Sequence, residues 1–139
     1  MIRKHSLTSA AALAFSVAVA LSSLAPSPAL AAAQDYRFEL AGKPQPGRGG
    51  KTIVSVRLVH LPGNKPVTDA VVFEAKADMG PVGMPTMTAP IKAVPPSPGG
   101  VYRFEVEPGM AGAWAITLAA TVQGEAETVR GSVTAELVK

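Results

Sequence analysis

The 139-residue chain has no cysteine. That excludes a disulfide framework and any thiolate zinc or iron–sulfur site. Only 5% of its residues are aromatic and 17% charged, against 47% hydrophobic. Such a chain has enough apolar surface to offset its conformational entropy, so it is not a disordered polymer. Its length is that of one domain at about 100–200 residues each. The longest apolar run, Ala10 to Leu21 interrupted by Ser16, is well short of the roughly 20 residues that cross a bilayer.

What precedes and follows that run assigns it a role. Arg3, Lys4 and His5 form a basic start, and Pro26 and Pro28 end the apolar stretch. Ala29-Leu30-Ala31 and Ala31-Ala32-Ala33 each satisfy the small-x-small cleavage pattern, so residues 1–33 are expected to be a secretory signal peptide and 34–139 the mature domain. The expected location is periplasmic or secreted, with no stable membrane anchor after cleavage. The formal charge of +3 includes Arg3 and Lys4. Without the leader eleven cations face ten acids, a net +1. A near-neutral domain with no Lys/Arg stripe lacks the electrostatic footprint of nucleic-acid binding.

From Gln34 onward apolar residues recur at every second position rather than at helical spacing, between turns rich in glycine and proline. The pattern predicts strands at Tyr36–Leu40, at Val54-Val56-Leu58, at Val71-Phe73-Ala75-Ala77, at Thr88–Val94, at Tyr102-Phe104-Val106, at Trp114 to Val122 and at Val129 to Leu137. Pro90 and Pro95 place the fourth on an edge. About seven short strands make an all-β, immunoglobulin-like two-sheet antiparallel sandwich. Trp114 is the natural core anchor. Pro44–Gly50 is expected to be a mobile loop; its glycines do not follow phosphate-loop spacing.

The predicted mature chain has one histidine, His60, and three serines, Ser55, Ser97 and Ser132, with no G-x-S-x-G elbow. His60, Asp69 and Ser97 would fall toward one end of a sandwich, but His60 continues the Val54-Val56-Leu58 face and reads as a packed strand-end residue. No enzymatic activity is expected.

The chemical signal is in the methionines. Met79, Met84 and Met87 lie within Asp78-Met79-Gly80-Pro81-Val82-Gly83-Met84-Pro85-Thr86-Met87, and Met110 lies in Glu107-Pro108-Gly109-Met110-Ala111-Gly112. Methionine is usually a core gap-filler, yet between Gly and Pro in a loop it has no core face to fill. In an antiparallel sandwich loops alternate between the two ends, so these two turns share an end and His60 lies at the other, about 25 Å away at ~3.3 Å per residue. Thioethers are soft ligands that select Cu(I), and equally Ag(I), over harder ions. They also survive outside the cytosol, where thiols oxidise. The alternative reading makes Met79 a core residue and the others an apolar contact patch.

Pro66-Val67, the Met79–Met87 loop, Gly100-Val101-Tyr102 and Pro108-Gly109-Met110-Ala111-Gly112-Ala113-Trp114 resemble the YtkA-like, or FixH-like, domain family over roughly Lys51 to Thr121. The resemblance implies an exported or membrane-anchored immunoglobulin-like domain associated with heavy-metal or copper efflux, or with oxidase assembly. FixH-like members generally keep a transmembrane helix, whereas the apolar run here reads as cleavable. The expectation is therefore a periplasmic Cu(I)- or Ag(I)-binding accessory protein using Met84, Met87 and Met110. Met79 is the fourth ligand or a supporting core residue, and the partner is a membrane transporter or efflux component. The rival is a metal-free adaptor docking on a transporter or an oxidase-assembly partner, and a third reading is a binder of a small organic ligand between the sheets.

Overall fold

Alternating apolar residues build two antiparallel sheets, which the computed structural model describes over residues 33–139. The predicted leader, Ala33 apart, lies outside the described residues. The strands are β1 (Tyr36–Leu40), β2 (Gln45–Pro46), β3 (Thr52–His60), β4 (Lys65–Pro66), β5 (Val71–Met79), β6 (Met84–Ala89), β7 (Ile91–Ser97), β8 (Val101–Val106), β9 (Gly112–Thr121) and β10 (Val129–Leu137). One sheet has the order β1-β3-β8-β7, with β2 and β4 appended to β3; the other has the order β10-β9-β5-β6. These are the two sheets of an immunoglobulin-like sandwich, with an eighth long strand beside the usual seven.

The inward faces meet in one core. Val54, Val56 and Leu58 of β3, Phe104 and Val106 of β8, and Trp114, Ile116 and Leu118 of β9 are all buried. Val129, Val133, Ala135 and Leu137 fill the β10 side. Trp114 is a core residue as expected, fully enclosed, with its indole N–H donating to the Met110 carbonyl at 3.2 Å. Phe, Trp and branched aliphatic side chains on two facing pleats supply the bulk of the hydrophobic driving force.

Three expectations are corrected. The strand predicted at Thr88–Val94 is two strands in different sheets: β6 pairs with β5 and β7 pairs with β8, and Pro90 marks the crossing between them. Proline has no N–H to continue the ladder, so the chain changes partner there. On β5 the expected Val71-Phe73-Ala75-Ala77 face is broken. A bulge between Val72 and Glu74 makes Phe73 an extra residue, so Ala77 and Met79 are buried while Val71 and Phe73 are exposed. Lastly, Pro44–Gly50 is no open loop but part of a small hairpin. Gln45 and Pro46 pair with Ile53 and Thr52, and the Gly47 N–H donates to the Lys51 carbonyl at 2.7 Å.

The expected alternation of ends survives these corrections, because β6 and β7 run on in one direction and act as a single strand in the count. Thr52 pairs with Val106, Leu137 with Gly112 and Met79 with Met84 at one end. At the other, His60 pairs with Tyr36 and Lys65, and Ser97 with Val101.

Candidate metal centre

The β5–β6 connection is a tight turn written into its residues. Asp78 accepts the Gly80 N–H on Oδ1 at 2.8 Å, Gly80–Val82 makes one 3-10 turn with Pro81 in its first positions, and Gly83 closes it in the left-handed region at φ 80°. Met79 and Met84 therefore face each other as cross-strand partners on either side of the turn. The sequence reading expected a loop from Met79 to Met87. Instead Met84 and Met87 lie on β6, an edge strand that Pro85 can join because its missing N–H is not needed there. Between Met84 and Thr88 the pairing with β5 slips, and Pro85, Thr86 and Met87 occupy the irregular stretch.

The four thioethers fall into two environments. Met79 is 1% exposed and belongs to the core, whereas Met84, Met87 and Met110 are 37%, 40% and 41% exposed. A Cβ built on Gly112 would lie 3.0 Å from the Met79 ε-carbon, so the Met79 side chain ends beneath the turn that carries Met110. The Trp114 indole then holds that turn through the Met110 carbonyl. The two methionine-bearing segments are thus anchored to one patch of core at the same end of the sandwich. Val82, also exposed, sits in the turn between Met79 and Met84 and has no role in the sequence reading. Its place between Pro81 and Gly83 was the available signal, since an apolar side chain in a turn has no core to enter.

One ion pair among the described residues lies close to this end. Lys51, just before β3, meets Glu105 at 2.9 Å. That contact holds the Glu105 carboxyl below the usual range and raises Lys51 above its own, first through the hydrogen bond itself. Among the described residues no three His, Cys, Asp or Glu side chains gather where they could hold a metal ion.

His60 is at the far end. Its ring lies 4.8 Å from that of Tyr36, whose hydroxyl donates to Glu125 Oε1 at 2.8 Å. The Gly100-Val101-Tyr102 motif also works here. The Tyr102 hydroxyl donates to the Val67 carbonyl at 2.9 Å and accepts the Ala70 N–H at 3.1 Å. A Cβ on Gly100, whose φ is +77°, would stand 3.1 Å from that same Val67 oxygen. The motif is therefore a clamp on the β3–β5 connection.

A sequence model described as YtkA-like matches residues 30–119. The chain belongs to the YtkA-like family. The match takes in both methionine-bearing turns of this YtkA-like domain and ends inside β9, before β10. No curated protein matches the chain. Solved structures similar to it include the following two. A DUF4426 family protein from Pseudomonas aeruginosa is 16% identical over 74% of this chain and 86% of that one, with a TM-score of 0.46. The Lin-41 filamin domain is 17% identical over 73% of this chain and 90% of that one, with a TM-score of 0.35.

Proposed function

We propose that this YtkA-like domain binds Cu(I) or Ag(I) outside the cytosol through Met84, Met87 and Met110, and passes the ion to a membrane component of a heavy-metal efflux system. The observation that carries the reading is that three part-exposed thioethers, on two chain segments, occupy the same end of the sandwich as the buried Met79. Thioethers of this kind select soft monovalent ions, and a site on the rim can exchange one ligand for a partner's without opening the core. Capture and transfer need no catalytic step. Export rests on the basic start, the short apolar run and the alanine-rich exit. The intact mass of the exported protein tests it: an N-terminus at Ala32 or Gln34 supports cleavage, and a membrane-bound form retaining Met1 contradicts it.

A metal-free docking end is the second reading, and exposed Val82 beside Met84 favours it, because adaptable methionines with an aliphatic neighbour make an apolar contact surface. A titration of the purified protein with Cu(I) against a competing chromogenic chelator separates the two. One tightly held equivalent supports the metal site. Failure to compete with even a weak chelator leaves the docking surface.

A further inference from the structure

The crossing at Pro90 leaves part of one sheet edge without a partner. β6 pairs with β5 only over Ala77–Met79 before the chain enters the other sheet. The six residues from Val71 to Lys76 therefore have β9 on one side and no strand on the other. Sheet edges are normally blunted by proline, inward charge or cover, because a row of unpaired N–H and C=O groups is a template for another strand. This stretch contains no proline and, among the described residues, no covering strand; the Phe73 bulge and the charges of Glu74 and Lys76 modify it, while Val71 and Phe73 are 65% and 54% exposed.

Beside the edge runs a groove of about 250 Å³, walled by Val72 on one side and by Val94, Pro96 and Tyr102 on the other. The far wall is β7, where Pro95 and Pro96 have no N–H to give. At Pro95 and Pro96 an entering strand therefore finds no donor on β7, whereas β5 offers its N–H groups. Arg103 is the sole charged residue lining the groove, and it has no ion pair among the described residues.

We infer that Val71–Lys76 is a strand-addition site. An extended segment of a partner protein pairs antiparallel to β5, in line with β6, laying alternate apolar side chains into the groove and one carboxylate against Arg103. Extended backbone is the chemistry that satisfies main-chain donors and acceptors on either side of the Phe73 bulge, and the carboxylate answers the unpaired guanidinium. A second copy of this chain fits less well. Six residues make a seam about 20 Å long, and across two layers roughly 400 Å² is covered on each partner. A stable interface covers about 800 Å² per partner.

The test is a selection of random displayed octapeptides on the purified protein, followed by amide hydrogen exchange with the best binder. The expected consensus alternates apolar residues and carries one Asp or Glu, and binding slows exchange within Val71–Lys76 at least tenfold. The double variant Val71→Lys with Phe73→Lys, both at exposed positions, loses at least tenfold in peptide affinity while its unfolding temperature holds. Arg103→Glu shifts the selected consensus from acidic to basic. The site is overturned by a consensus without alternation, by protection elsewhere, or by a concentration-dependent dimer of the protein alone that protects the same six residues. These readouts are independent of the methionines, so they stand or fall apart from the metal reading.

Discussion

The Met79 side chain ends against Gly112: a Cβ added to that glycine would lie 3.0 Å from the Met79 ε-carbon. Gly112 also has φ +145°, a region that side-chain-bearing residues rarely adopt. Gly112→Ala is expected to destabilise by about 1–3 kcal/mol, as overpacked cores do. Shortening Met79 to Ala opens a cavity of its own, but in that background Gly112→Ala should cost less. A double-mutant cycle by urea denaturation reads the coupling; additive effects contradict the contact.

Tyr102 and the Val67–Ala70 turn form the second contact of this kind. Tyr102→Phe keeps the ring and removes the hydroxyl that donates to Val67 and accepts from Ala70. Leaving part-buried partners unsatisfied costs about 1–3 kcal/mol. Equilibrium unfolding should show that loss, and hydrogen exchange should show the Ala70 amide opening faster than the core strands.

Tyr36 makes stability fall at high pH. Its phenol is pushed up to about 12 from an ordinary 10, first by burial, then by the hydrogen bond to Glu125 and by the charges of Glu125, Asp35 and Asp69. The folded state favours the neutral phenol. Its contribution is therefore fully present below about pH 10 and lost as pH rises through about 12. Denaturation midpoints across that window should decline in the parent and decline less in Tyr36→Phe. Tyr102, also raised by burial, accounts for a remaining slope.

Single changes of Met84, Met87 or Met110 to Leu keep most of the side-chain volume and remove the sulfur. Each should weaken Cu(I) binding at least tenfold in the chelator competition, with under ~1.5 kcal/mol lost in stability. His60→Ala, at the opposite end, should leave affinity unchanged. Parent-like binding by all three Leu variants, or dependence on His60, contradicts the metal site.

Residue pattern alone determined that this is an all-β sandwich with Trp114 in its core, because alternation recurs along β3, β8, β9 and β10 and breaks only near strand ends, where Val59 and Ala119 are buried as well. It also determined that the turns carrying Met79 and Met110 share an end, since strand parity depends on direction and not on which sheet a strand joins. The tertiary structure decided the rest. Periodicity reports which residues face inward, but not where a strand changes partner. The Pro90 crossing and the bulge at Phe73 depend on the fit between β5, β6 and β9, and they alone expose Val71 and Phe73 and leave an edge open. The separation of buried Met79 from its three part-exposed neighbours has the same origin. The sequence left Met79 as either a fourth ligand or a core residue, and its burial beneath Gly112 places it in the core, apart from the three on the rim.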